Sequence, residues 1–174
     1  TFYGCSSLRS IVIPKTITSI QENAFGRCTS LNRIELPDSI DMINDNVFGD
    51  CISLKEISIP NSVKSIGCYA FGGTSLKKVT IPESVKKICP HAFSLCYSLE
   101  EINIPSDLTE ISSFCFSKCK SLKNIEIPKS VKIIQNNAFE YCSSLECIQI
   151  HDYTNLIDPS AFNHCQSLEI VKLL

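Results

Sequence analysis

The sequence predicts an α/β solenoid of about eight coils, each a 23-residue unit that adds one strand to a parallel sheet. Three observations predict it. Phenylalanine recurs at Phe2, Phe25, Phe48, Phe71, Phe93, Phe116, Phe139 and Phe162, a spacing of 23 residues broken once by 22. Leucine keeps step at Leu8, Leu31, Leu54, Leu76, Leu99, Leu122, Leu145 and Leu168, with a serine directly before each. The unit reads A-F-x-x-C-x-S-L-x-x-I-x-I-P-x-S-V-x-x-I-x-x-x, and regular self-similarity of this length is the signature of stacked repeats. One unit cannot bury its own apolar columns; stacking sets each Phe, Leu and Ile over its equivalent and makes a continuous core.

Each element of the unit has its own reason. In L-x-x-I-x-I the apolar residues end in alternation, as at Ile34 and Leu36, which is the period of a strand with one buried face. Proline follows at once at Pro14, Pro37, Pro60, Pro82, Pro105 and Pro128. Lacking an N–H, it ends the strand and turns the chain. Serine two residues on, as at Ser39, Ser62, Ser84 and Ser130, has a hydroxyl that bonds nearby backbone and steadies the turn. The next segment, such as Val63 to Ile66, has apolar residues three apart, which fits a helical turn, an irregular stretch or a second short strand. The Ala-Phe pair then re-enters the core. No linker interrupts the 174 residues, so the expectation is a single solenoid over 1–174. Neither end carries a polar capping unit, which reads as a segment of a longer array, or as a chain that associates end to end.

The combination of A-F-x-x-C-x-S-L with I-x-I-P-x-S-V-x-x-I resembles the BspA-like leucine-rich repeats, the 22 to 23 residue class of anaerobic bacteria and parasitic protists. The resemblance covers the whole chain. It implies a leucine-rich-repeat arc with the parallel sheet on its concave face, used to bind proteins or extracellular matrix. It brings no catalytic residues.

Bulk chemistry is neutral ground. Net charge is −2, with 13 Lys and 3 Arg, so neither nucleic acid nor an anionic membrane is the default partner. No apolar run is long enough to span a bilayer, and no Gly-rich phosphate loop is present. Eleven cysteines are an odd number, against a complete intrachain disulfide framework. Seven of them, Cys5, Cys28, Cys51, Cys96, Cys119, Cys142 and Cys165, stand three residues after the Phe, and Cys115 takes an Ala position. The one-residue deletion in the fourth coil, FGGTSL, removes that coil's member. Stacked side chains in one column point the same way, a poor geometry for a disulfide, and a free Cys fills such a column as a small apolar residue. Cys68, Cys89 and Cys147 fall outside the columns. Cys89, His91 and Cys96 superficially offer zinc ligands or a Cys/His nucleophile, but without a C-x-x-C and with Cys96 in the column the repeat accounts for them. Neither a metal nor a cofactor is expected.

What remains is surface. The candidate partner-binding face is the outward side of the concave strands: Arg33 and Glu35, then Lys55, Glu56 and Ser58, then Lys77, Lys78 and Thr80, then Glu101 and Asn103, then Asn124 and Glu126, then Cys147 and Gln149. These positions vary from coil to coil while the core columns do not. The face is polar and mixed in charge, so a partner should be polar and its affinity salt-dependent. Tyr69, Tyr97, Phe114 and Tyr141 fall on convex turns or edges and offer a second face. The reading is a non-enzymatic protein-interaction module. Its first setting is an intracellular scaffold or regulator docking a signalling protein, for example a protein phosphatase, since column-bound thiols suit a reducing compartment. Its alternative is a cell-surface adhesin for host protein or matrix.

Overall fold

The computed structural model describes residues 1–173. Among the described residues there are thirteen short strands: β1 (Ser10–Val12), β2 (Arg33–Glu35), β3 (Met42–Ile43), β4 (Ser65–Ile66), β5 (Lys78–Val79), β6 (Lys87–Ile88), β7 (Glu101–Ile102), β8 (Glu110–Ile111), β9 (Asn124–Glu126), β10 (Ile133–Ile134), β11 (Cys147–Ile150), β12 (Leu156–Ile157) and β13 (Ile170–Leu173). All pairing is parallel, between consecutive coils. A first row of strands, from the L-x-x-I-x-I segments, is bonded as β1–β2, β5–β7 and β9–β11–β13. A second row is bonded as β3–β4–β6 and β8–β10–β12.

The second row resolves the ambiguous segment, and no helix occurs among the described residues. Hydrogen bonding explains why. Val63 N donates back to Pro60 O and closes the turn, but Lys64 N then donates to Asp41 O and Gly67 N to Ile43 O, both in the preceding coil. A helix would turn these donors inward along its own axis; the neighbouring coil takes them instead. The apolar spacing of three arises because Val63 ends a turn and Ile66 begins a pleat.

The proline turns repeat closely. Ile17, Ile40, Val63, Val85, Leu108 and Val131 each donate a backbone N–H to the proline carbonyl three residues earlier. The buried Ser62 hydroxyl has no partner among the described residues, but three other serines after the prolines reach further than their own turn: Ser39 Oγ donates to Ile17 O, Ser84 Oγ to Val63 O and Ser130 Oγ to Leu108 O, all in the preceding coil. They join coils rather than steady turns.

Every Phe of the repeat stacks on the next, in seven successive pairs with ring centroids 5.3–5.8 Å apart and planes within 15°. Eight phenylalanines thus make seven turns of coil. Offset stacking at this distance adds to plain burial, and the five central rings, Phe48 to Phe139, are fully buried. The backbone of this column is also bonded between coils, as in Phe48 N to Ala70 O and Phe116 N to Ala138 O. From the second coil to the seventh, two left-handed residues per coil make the tight corners around it. Asn23, Asn46 and Asn137 stand two residues before a Phe, and Arg27, Asp50 and Lys118 two after, with φ of 54–64°. Among residues with a side chain, asparagine accepts this conformation most readily. Gly73, at φ 70°, fills the second corner of its coil, where a Cβ would lie 2.6 Å from Asp50 Oδ1.

The cysteine column is a hydrogen-bonded ladder. Cys28, Cys51, Cys96, Cys119, Cys142 and Cys165 each donate the thiol proton to the carbonyl of the Phe in the preceding coil, at 3.0–3.2 Å. This goes beyond small apolar filling: the thiol is weakly polar and satisfies a second lone pair on a buried carbonyl. The fourth coil keeps the column position, filled by threonine, but not the bond to the preceding coil. Thr74 stands three residues after Phe71, buried, with its hydroxyl on Phe71 O at 2.8 Å and 3.3 Å from Cys96 Sγ. The deletion removes the residue between this position and Ser75. No disulfide joins the cysteines among the described residues.

Candidate functional site

The outward face of the first row is built by alternation. In β2 and β9 the middle residue, Ile34 or Ile125, is buried and its neighbours are exposed. That pattern places Arg33, Glu35, Asn124 and Glu126 on the surface, and Lys55, Glu56, Ser58, Lys77, Lys78, Thr80, Glu101 and Asn103 are exposed beside them. Cys147 and Gln149 in β11 are half-buried.

Register brings neighbours together. Lys78 faces Glu101, and their side chains form an ion pair at 2.5 Å. Cys147 sits between Asn124 and Ile170, and Gln149 between Glu126 and Lys172. Arg33 pairs with Glu35 along its own strand at 2.8 Å. Both pairs are largely solvated, so each contributes at most about 1 kcal/mol to stability.

Shallow grooves follow the coils. One of about 650 Å³ is lined by Arg33, Glu35, Glu56 and Ser58. A second of about 290 Å³ lies among Lys78, Thr80, Glu101 and Asn103, and a third of about 370 Å³ among Glu101, Asn124, Glu126, Cys147 and Gln149. Lys55 and Lys77 stand outside these grooves on the same face, linked by a bond from Lys77 N to Lys55 O. An apolar hollow of about 410 Å³, lined by Phe2, Ile11, Ile17 and Phe25, is the open side of the first coil's core.

One candidate is already occupied by the fold. Asn103 Nδ2 donates to Ile81 O at 2.9 Å, and Ile81 N donates to Asn103 Oδ1 at 2.7 Å. The amide thus continues the β5–β7 ladder by side chain, which the position of Asn103 in the repeat did not announce.

The aromatic edge divides in two. Tyr69 and Phe114 are packed: the Tyr69 hydroxyl donates to Asp50 Oδ1 at 3.2 Å, and Phe114 stacks on His91 at 4.7 Å. Burial, with Asp50 beside it, pushes the Tyr69 phenol up to about 12. Burial likewise lowers the His91 pKa. Tyr97 and Tyr141 are exposed, with Lys120 over the first ring and Lys118 over the second.

The chemistry of the column is quiet. Burial pushes the Cys96 and Cys165 thiols up to about 11 and Cys51 to about 12, and raises Cys115, Cys119 and Cys142 well above the usual value. A thiol held this far from its thiolate is neither nucleophile nor ligand. Among the described residues no three His, Cys, Asp or Glu side chains are grouped to hold a metal, and no helix is long and apolar enough to cross a membrane.

A two-row parallel coil with a stacked Phe column and a mixed-charge strand face defines a leucine-rich-repeat solenoid. The model of the BspA type leucine-rich repeat region matches residues 1–94 and 86–173, in 6 copies, and the chain belongs to that family. The family is in general a non-enzymatic repeat fold that serves protein interaction. A leucine-rich repeat protein of Bacteroides ovatus is 29% identical over 99% of this chain and 62% of its own, with a TM-score of 0.76. A leucine rich cell surface protein of Faecalibacterium prausnitzii is 28% identical over 99% of this chain and 61% of its own, TM-score 0.67. The leucine rich repeat protein of T. pallidum is 33% identical over 83% of this chain and 68% of its own, TM-score 0.76. The chain therefore spans about three fifths of the first two. No curated protein matches it.

Proposed function

We propose that this chain is a protein-docking module that engages a polar partner through the outward face of the first strand row. The observation that carries the reading is the charge mosaic of that face. Lys77 and Lys78 stand beside Glu100 and Glu101, followed by Lys123, Glu126 and Glu146 on successive coils, all exposed. Such a surface steers and registers a complementary partner more than it supplies bulk affinity.

The setting proposed is an intracellular scaffold or regulator that positions a signalling protein, a protein phosphatase being one example. Six thiols that each keep a proton on a carbonyl bond favour a reducing compartment. A second reading, a surface adhesin for host protein or matrix, is favoured by the Faecalibacterium relative named as a cell surface protein.

A photo-crosslinking residue placed at Glu101, and separately at Glu83 on the far side of the proline turn, tests the docking face. Partner captured from position 101, lost at high salt and absent from position 83 supports it. Capture from position 83 alone contradicts it.

A further inference from the structure

Cys68 and Cys89 stand outside the thiol ladder and lie in consecutive coils. Cys89 N donates to Ile66 O at 2.9 Å and Tyr69 N to Pro90 O at 3.3 Å. These bonds set Gly67 opposite Cys89 and Cys68 opposite Pro90, so the two cysteines are diagonal neighbours across the coil boundary. The same diagonal recurs at the neighbouring coil boundaries, and at one of them its two side chains are bonded directly. Ser113 occupies the place of Cys68 two coils on and Gln135 that of Cys89 in the coil after; Ser113 Oγ donates to Gln135 Oε1 at 2.8 Å. One coil earlier, Asp45 stands in the place of Cys68 and Gly67 in that of Cys89, and a Cβ added at Gly67 would collide with Asp45 Oδ1.

The diagonal differs from a straight column in the way that matters for a covalent bond. Side chains stacked in a column run parallel, whereas the diagonal turns one coil's side chain toward the next. With about 4.8 Å between strands and about 3.4 Å along them, diagonal Cα atoms are about 6 Å apart, inside the disulfide range. Burial, with Cys68 beside it, raises the Cys89 pKa. Both are half-exposed, whereas Cys96, Cys119 and Cys142 in the ladder are sealed.

We propose that Cys68 and Cys89 form a redox site, a dithiol that a small-molecule disulfide such as oxidised glutathione converts to an inter-coil disulfide. The thiolate of one cysteine attacks a glutathione sulfur, breaking its S–S bond and releasing one glutathione thiol, its own proton having gone to solvent. The second cysteine, also deprotonated, attacks the protein sulfur of the mixed disulfide and expels the second glutathione. Two protein thiols are oxidised and one glutathione disulfide is reduced to two thiols.

The test is equilibration of the folded chain in glutathione buffers of increasing oxidised fraction, acid quench, maleimide blocking of remaining thiols, and peptide mass mapping. The expected result is a Cys68–Cys89 linked peptide and two fewer reactive thiols at these positions, with exposed Cys5 carrying glutathione as the sign that exchange proceeded. In Cys68→Ser the linked peptide disappears and Cys89 carries glutathione instead. The proposal is overturned if Cys5 is glutathionylated while Cys68 and Cys89 stay reduced, or if each carries its own glutathione with no linked peptide.

Discussion

Replacing Phe93 by Ala removes a ring from the middle of the aromatic column. Phe93 is fully buried and stacks on Phe71 at 5.3 Å and on Phe116 at 5.8 Å. The loss combines transfer, cavity and two ring contacts, and a truncation of this kind costs about 3–5 kcal/mol. Phe2 offers the control in the same column. It is 40% exposed and has one ring neighbour, Phe25, at 5.6 Å. Truncating it forfeits roughly three fifths of a transfer term of about 1.5–3 kcal/mol and leaves a space that water fills, a loss of about 1–2 kcal/mol. Urea unfolding followed by circular dichroism gives both values if the slope is unchanged. Equal losses for Phe2→Ala and Phe93→Ala, or a loss below about 1 kcal/mol at Phe93, would refute a core summed over coil interfaces.

Other expectations follow from the same coordinates. Leu122→Ala should cost about 2–5 kcal/mol, because Leu122 is fully buried. Ser121→Ala should cost about 1 kcal/mol, because its hydroxyl donates to Tyr97 O at 2.7 Å. Lys77→Ala and Glu101→Ala should stay within about 0.5 kcal/mol; thermal unfolding ranks the four, and a reversed order would exchange inside and outside. Thr74→Val keeps the volume and removes the buried hydroxyl that serves Phe71 O, a loss of about 1 kcal/mol by the same assay. Stability should also fall at alkaline pH. Burial raises Cys96 and Cys165 from the thiol value of 9.0 to about 11 in the folded chain. The unfolded chain then binds fewer protons between these values, so the contribution is full below 9.0 and lost as pH rises toward 11. Urea midpoints across that window should drop, and drop less in Cys96→Ala.

The sequence showed most plainly what the core demands. Phe25, Leu31, Ile34 and Pro37 fix a coil because each answers a constraint that every copy shares: a buried ring, a pleat, a stop. The segment from Val63 to Ile66 was ambiguous for a physical reason. Two apolar residues three apart fit a helical turn as well as a turn running into a strand, and only the demand of the neighbouring coil for hydrogen bonds separates them. Thr74 escaped notice because a threonine beside a deletion looks like a lost cysteine until its hydroxyl is seen on Phe71 O. Asn103 was legible as an exposed strand residue but not as a side-chain rung, since that depends on the backbone of Ile81 two decades of residues away in sequence. The diagonal placement of Cys68 and Cys89 follows from coil register, which the repeat length alone leaves open by one residue at the shortened fourth coil.

The docking face is tested most directly by exchanging its central charges. Lys78→Glu combined with Glu101→Lys preserves the ion pair across β5 and β7 while inverting what a partner meets. Equilibrium binding of the crosslinked partner, once isolated, to the swapped and original chains is the measurement. The account predicts a fall in affinity of about tenfold or more with an unchanged urea midpoint; unaltered affinity at the same stability would contradict it.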